Sequence, residues 1–293
     1  MESLRSVKIF FNFLHRTVSM HTIPFFKMSG TGNDFIIIDN RDAIVEDDGL
    51  TEFIQNVCRR KMSVGADGMI LIESSDTADF RWRFFNSDGS LAEMCGNGAR
   101  CAARFAYLNG IAGEKLSFET EAGIISGQVK DGGAKVKIPD PADLRLNYSI
   151  DLEGGPLTVS SINTGVPHVI VMGDSIEDVD VVGLGRQIRY HEAFAPAGTN
   201  VNFICQQKPG HLEIRTYERG VEDETLACGT GSIAAALVAS LMTDWTSPIS
   251  LTTRSRESLT IYFREDNGGF TDVYLEGAAR LIYTGELKQD AWK

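Results

Sequence analysis

Cys95 and Cys228 stand in the same local context. Each opens a Cys-Gly-x-Gly turn, Cys95-Gly96-Asn97-Gly98 and Cys228-Gly229-Thr230-Gly231, that runs straight into an alanine-rich stretch. A cysteine so placed sits at a helix N-terminus, where unpaired backbone N–H groups and the positive end of the macrodipole favour anions, thiolate among them. Two such thiols facing one cleft suit the movement of a proton from one face of a carbon to the other. One removes a proton as general base while the other, as general acid, supplies a different proton. Inversion follows. The glycine turns also offer free N–H groups to a carboxylate on the reacting carbon, and these donors stabilise the charge that spreads into it as a carbanion forms. Such chemistry requires no cofactor.

Other readings of these residues compete. Buried cysteines are ordinarily inert small hydrophobes, and Cys58, Cys101 and Cys205 are read that way. A Cys nucleophile with His168 as its partner is a further candidate, but it leaves the duplicated cysteine without a purpose. A metal site has little support, because there is no Cys-x-x-Cys, no His-Glu-x-x-His, and the histidines are scattered. From another class, the glycine turns fit a non-catalytic anion-binding protein; that reading predicts unchanged function when both cysteines are replaced.

The elements that position the thiols come from a repeat. Cys228 follows Cys95 by 133 positions, and the same offset joins Thr31-Gly32 to Thr164-Gly165, Gly65 to Gly198, and Phe84 to Tyr217. We read an internal duplication that places the cysteines at equivalent points of two similar domains. In the first copy, a strand, a Gly30-Thr31-Gly32-Asn33 turn and a second strand are followed by a polar helix over 49–60 and strands over 69–73 and 80–85. The turn Asn86-Ser87-Asp88-Gly89 leads to Cys95, whose helix ends at the cap Asn109-Gly110. Short strands follow over 115–120, 127–130 and 134–138, and Pro139-Asp140-Pro141 marks the boundary between copies. The second copy repeats the plan with strands over 157–162 and 169–172, a mixed stretch to Ala197, and a strand over 212–217 that leads into Glu218-Arg219-Gly220. A helix over 232–242, with Ser240 the one polar residue in its last ten, is expected to be buried on all sides. Strands over 249–253, 258–263 and 271–276 complete the copy. The division expected is an extension over 1–20, a first domain over 21–140, a second over 141–276, and residues 277–287 packing back on the first.

Composition fits two soluble domains: 293 residues, 43% hydrophobic and 23% charged. A net charge of −12 without a basic block argues against nucleic acid. Five cysteines in no dense pattern suit a reducing compartment, and the cytoplasm fits best. No apolar run approaches membrane-spanning length. Residues 3–19 hold no acidic side chain, a composition compatible with a targeting segment. The stretch is short and lacks a small-residue cleavage site, so a plain extension or a misplaced start, with translation beginning at Met20, is the preferred reading.

From Ile23 to Leu287 the chain resembles diaminopimelate epimerases. The resemblance rests on Lys27-Met28-Ser29-Gly30-Thr31-Gly32-Asn33-Asp34-Phe35, Phe85-Asn86-Ser87-Asp88-Gly89, Met94 to Cys101, Tyr217-Glu218-Arg219-Gly220 and Ala227 to Gly231. It implies an α+β fold of two pseudo-symmetric domains, each a curved, mainly antiparallel sheet or barrel around a central helix, with the active site between them. It also implies a cofactor-independent homodimer that interconverts LL- and meso-diaminopimelate, a precursor of lysine and cell wall. Cys95 and Cys228 then carry the proton transfers, and Gly96, Asn97, Gly229 and Thr230 match positions that bind the reacting carboxylate. Asn33, Asn86, Asn200 and Arg219 match those that hold the distal end of the substrate, while Glu218 matches one that holds the distal ammonium or assists catalysis. His168 matches a histidine near the cysteines, and a purely structural hydrogen-bonding role for it stays open. The chain departs from the pattern at Gly68, where many members have Gln, and at Val166, where many have Asn. The related proline and hydroxyproline racemases resemble this pattern too, but typically carry His where Asn97 stands and lack the Glu218-Arg219 pair.

Overall fold

The computed structural model describes residues 22–266 and 268–293. The extension expected over residues 1–20 lies outside the described residues. The first half of the chain runs β1 (Ile23–Gly30), β2 (Asn33–Asp39), α1 (Leu50–Cys58), β3 (Gly68–Glu73), β4 (Phe80–Asn86), β5 (Leu91–Ala92), α2 (Gly96–Leu108), β6 (Lys115–Thr120), β7 (Gly123–Lys130), β8 (Gly133–Lys137) and β9 (Ala142–Leu152). The second half repeats the order: β10 (Gly155–Asn163), β11 (Pro167–Gly173), α3 (Val181–Arg189), β12 (Asn200–Lys208), β13 (His211–Glu218), β14 (Asp223–Thr225), α4 (Gly229–Thr243), β15 (Ile249–Thr252), β16 (Ser258–Asp266), β17 (Gly269–Ala278) and β18 (Arg280–Leu287).

Pairing repeats with the order. Strands β2 and β3 are parallel, as are β4 and β6, β11 and β12, and β13 and β15. Each of these pairs spans a helix, as a parallel crossover requires. The remaining pairings are antiparallel. The two halves meet where β8 pairs with β17, with Val136 opposite Leu275. At the far ends of the continuous sheet, β9 lies on β10 and β18 lies on β1.

Alternation along the strands sorts side chains to two faces. In β2, Phe35 and Ile37 join the cluster around α2, whereas Ile36 and Ile38 join the one under α1. In β12, Ile204 faces α4 while Val201, Phe203 and Cys205 pack beneath α3. The clusters around α2 and α4 merge into one inner core. As expected for an alanine-rich apolar helix, α4 is buried over residues 231–240. Close approach of strands on every side is what its small residues permit.

Ladder partners correct the count of the repeat. Phe35 pairs with Gly68 and Ile70 with Phe84, while His168 pairs with Asn200 and Asn202 with Thr216. Phe35 thus corresponds to His168, Ile70 to Asn202, and Phe84 to Thr216. The expected match of Phe84 with Tyr217 is off by one position. Gly65 and Gly198 both turn the chain with positive φ, 73° and 67°, but the connection from Gly198 to β12 is one residue shorter than its counterpart, and a one-residue slip moves a side chain to the opposite face. Phe84 accordingly sits in the inner core and Tyr217 in the outer cluster under α3.

Besides the short strands β5 and β14, two longer elements differ from the sequence expectation. The mixed stretch before Ala197 contains α3, capped by the Asp180 carboxylate on the Gly183 N–H at 2.9 Å; its glycines hid the helical period. Directly after Pro141, where a boundary alone was expected, β9 extends through mostly exposed residues, so no buried face marked it.

Candidate active site

Both cysteines are helix N-caps with extended backbone. Cys95 caps α2 with φ −147° and ψ 114°, and its Sγ accepts the Gly98 N–H at 3.4 Å. Cys228 caps α4 with φ −123° and ψ 114°, and its Sγ lies 3.5 Å from Thr230 Oγ1. Both thiols are free.

The two first turns meet each other. A Cβ built on Gly229 would stand 3.3 Å from Asn97 Oδ1 and 3.8 Å from Gly96 Cα, and Leu275 Cδ2 would lie 2.7 Å and 3.1 Å from Cβ atoms on Gly96 and Gly229. Glycine at both positions lets two positive helix ends converge on one place. The turns before the helices join the contact: a Cβ on Gly32 would approach Leu226 Cβ to 2.9 Å.

Electrostatics tie Glu218 to both thiols. Burial first, then the nearby Glu218 carboxylate and the Cys95 sulfur, push Cys228 up to about 12 against the opposing Thr230 hydroxyl and Gly231 N–H. Cys95 is also raised, by burial first. The N–H groups of Gly98 and Asn97 and the Arg100 guanidinium pull the other way, and Glu218 adds to the rise. Burial raises Glu218 as well, with Asp67 contributing. A thiolate formed here is a strong base, as abstraction of a weakly acidic α-proton demands.

His168 lies beneath the first turn of α4. It is 1% exposed, its Nδ1 is 3.1 Å from Asn202 Nδ2, and its Nε2 is buried without a partner among the described residues. Burial depresses its pKa to about 3, with Arg219 adding to the effect, so the ring is neutral at neutral pH. With Asn202 donating to Nδ1, the ring proton is on Nε2. Asn202 also donates to Val169 O at 3.1 Å and accepts from Thr216 Oγ1 at 3.0 Å. A Cβ on Gly231 would fall 2.2 Å from Asn202 Oδ1, which is why the second glycine of that turn has no side chain.

The first half is wired differently. Asn97 Nδ2 donates to Asn33 Oδ1 at 2.6 Å, and Asn33 Nδ2 donates to Asp67 Oδ2 at 3.1 Å. Arg100 Nη2 donates to Asn97 Oδ1 at 3.0 Å and to Thr31 Oγ1 at 2.9 Å. In the second half the corresponding Thr164 hydroxyl donates to Thr230 O at 3.0 Å.

The structure thus gathers Cys95, Gly96, Asn97, Asn33, Cys228, Gly229, Thr230 and Glu218 around the meeting helix ends, with His168 under one of them. Asn200 is buried and ties Pro167 O (3.1 Å) to the Arg219 N–H (2.9 Å). The Arg219 side chain reaches Ala197 O at 3.3 Å and forms no ion pair among the described residues. Asn86 is exposed at the end of β4, its amide held by Ser90 Oγ at 3.0 Å. Gly68 has no room for the Gln of other sequences, since a Cβ there would lie 2.5 Å from Phe85 O and 2.7 Å from Phe84 Cε2. Sequence reasoning passed over Arg100, Asn202 and Leu275. Arg100 lies inside the Met94 to Cys101 motif, and its mismatch with Ile233 in the repeat was the available signal. Among the described residues no helix is long and apolar enough to cross a membrane.

The profile of the diaminopimelate epimerase family matches residues 25–141 and 160–282. The chain belongs to the diaminopimelate epimerase family. Its relatives include a diaminopimelate epimerase of Aquifex aeolicus, 46% identical over 278 residues and covering 92% of this chain and 99% of that one. Another, from Archaeoglobus fulgidus, is 42% identical and covers 91% and 96%. Solved structures outside the diaminopimelate epimerases share the fold. A Bacillus anthracis protein of the PhzF phenazine biosynthesis family superposes with TM-score 0.69 at 18% identity, covering 91% of this chain and 99% of that one. A hydroxyproline epimerase of Agrobacterium vitis superposes with TM-score 0.67 at 14% identity, covering 92% and 93%. The fold is therefore the α+β, two-domain epimerase type expected from the sequence.

Proposed function

We propose that this chain interconverts LL- and meso-diaminopimelate by two-base proton transfer at the α-carbon, with Cys95 and Cys228 as the two acid-base groups and no cofactor. The observation that carries the reading is the meeting of two cysteine-capped helix ends at Gly96 and Gly229. A substrate carbon held there is within the field of both thiols, and its carboxylate has the N–H groups of Gly96, Asn97, Gly229 and Thr230 at the two helix starts as donors. As one thiolate takes the α-proton, the other thiol protonates the opposite face; the proton moves from carbon to sulfur on one side and from sulfur to carbon on the other. Neutral His168 adds no positive charge of its own beneath the first turn of α4, and burial and Glu218 hold the proton on Cys228.

Glu218 and Arg219, neither in an ion pair among the described residues, supply an acceptor and a cation for a second zwitterionic end. That feature favours a diamino diacid over proline. Asn33, Asn86 and Asn200 complete the distal contacts, with Asn33 and Asn200 already fixed by protein partners. We assign the first domain to residues 21–140 with 277–287 and the second to 141–276, in keeping with the pairing of β18 on β1 and β9 on β10. A homodimer fits the exposed Leu281, Ile282 and Tyr283 on the sheet-edge strand β18. A free-thiol active site fits a reducing compartment such as the cytoplasm.

Incubation with LL-diaminopimelate in heavy water tests the mechanism. Deuterium is expected at the α-carbon with the wild-type chain and not with Cys95→Ala/Cys228→Ala. Lack of incorporation by the wild type, or full exchange by the double variant, rejects it.

A further inference from the structure

Arg100 shows 0% exposure, yet no ion pair among the described residues includes it. Neutral acceptors satisfy its guanidinium: Gly96 O at 3.2 Å, Thr31 Oγ1 at 2.9 Å, Asn97 Oδ1 at 3.0 Å, and Ala278 O at 3.5 Å from Nε. The place is unfavourable to a cation on two counts. It is removed from water, and the side chain folds back on the first turn of α2, the positive end of the helix. Dipoles from a carbonyl, a hydroxyl and an amide soften that cost without supplying a negative charge.

The groups able to carry the missing charge are few. Cys95, Cys101 and Glu257 lie in the field of Arg100. Glu257 is engaged by Arg280, and burial pushes Cys101 up to about 12. Cys95, at the end of the helix on which Arg100 folds, remains. Facing Cys95 from the end of β13 is Glu218, which opposes ionisation, and from α4 the thiol Cys228. In the second half the residue five positions after the cysteine is Ile233, 1% exposed and apolar. The repeat preserved both thiols and gave a buried cation to one.

We propose that Arg100 is a positioning residue for the reaction, its fixed charge making Cys95 the thiol that ionises first while Cys228, backed by Ile233, keeps its proton. When the pair ionises, the proton leaves to water from Cys95 in preference to Cys228, so that one thiolate and one thiol arise in a fixed order instead of a mixture of states. The same guanidinium fixes the Asn97 amide and the Gly96 carbonyl, which frame the carboxylate site. This inference rests on the two-thiol reading above.

The test titrates each sulfur without turnover. Full-length protein is alkylated with iodoacetamide across a pH series, and labelling rates at Cys95 and Cys228 are read by peptide mass spectrometry. The midpoint of each rate against pH removes the difference in access. Cys95 is expected to have a midpoint at least about one pH unit below that of Cys228, a tenfold difference in ionisation. Arg100→Gln, which keeps donors for Thr31 and Gly96, is expected to raise the Cys95 midpoint by about one unit and leave that of Cys228 in place; Arg100→Lys is expected to restore most of the shift. Should Arg100→Gln fail to fold, Arg100→Met replaces it, and the wild-type order decides if neither folds. A Cys228 midpoint at or below that of Cys95 overturns the proposal, as does an unmoved Cys95 midpoint in a folded neutral variant. A structural role alone would change denaturation and leave the midpoints where they were. Failure of the two-thiol reading shows separately, as absence of deuterium in the wild-type product.

Discussion

Beneath Cys95 the inner face of the sheet presents Phe35, Ile70 and Phe84, and the polar work is done from the helix by Arg100. Beneath Cys228 the same three places hold His168, Asn202 and Thr216, linked by hydrogen bonds, and the helix offers only Ile233. Duplication kept the thiol, the glycines and the helix start, and moved the supporting polar groups from helix to sheet. The comparison teaches that symmetry of the reacting atoms is compatible with asymmetry of their supports. A reaction that needs one base and one acid at any instant is served by that division.

The comparison breaks most visibly at the sulfurs themselves. Cys95→Ala and Cys228→Ala are each expected to lower epimerisation by about 10²–10⁴-fold, the usual worth of a positioned acid or base, as read by conversion of LL- to meso-diaminopimelate. Near-wild-type turnover in either variant would mean that one half suffices. Next in size, Asn202→Leu leaves His168 Nδ1 and Thr216 Oγ1 without partners and is expected to cost about 3 kcal/mol in urea unfolding. Ile70→Leu at the matching apolar place is expected to cost less than about 1.5 kcal/mol. Equal losses would show that the polar network is not what distinguishes the second half.

Acid sharpens the contrast further. His168 has a folded pKa of about 3 against an unfolded value of about 6.5. The unfolded chain takes up a proton that the folded chain refuses, so its contribution to stability is present above pH 6.5 and is lost as pH falls towards 3. Between pH 6.5 and 5 the loss is expected to be about 1.6 kcal/mol. His168→Gln should remove that part of the slope, while a variant at Phe35 should leave it. The smallest effect compares the two glycines one turn into the helices. Gly231→Ala drives a Cβ to 2.2 Å from Asn202 Oδ1, whereas Gly98→Ala meets Ile70 and Trp82 at 3.4 Å. Melting curves are expected to put Gly231→Ala about 1 kcal/mol below Gly98→Ala.

The thiol turns, the two alanine-rich helices and the repeat were legible because each is local: glycine spacing and side-chain composition within about fifteen residues declare them. The face that each residue occupies was less so. A uniform offset aligned Phe84 with Tyr217, and only the ladder reveals the residue lost after Gly198 that turns Thr216 inward. Asn202 was hidden for the same reason, since its role depends on which way β12 is facing. Arg100 stood in plain view within the motif, but its lack of a carboxylate partner is a property of the packed chain and has no trace in spacing.

Among the described residues the last strand, β18, lies against the first, with Ile23 opposite Leu287, whereas β9 finds β10 after a turn of only a few residues. A ribosome releases the polypeptide in order, so the amino-terminal ribbon emerges with both margins bare, β8 waiting for β17 and β1 for β18, and the β1 margin stays so until nearly the whole message has been read. The carboxyl-terminal half closes on neighbours already made. Nascent chains of this protein therefore carry a sticky border for most of their synthesis, and a premature stop shortly before codon 280 would leave it uncovered for good.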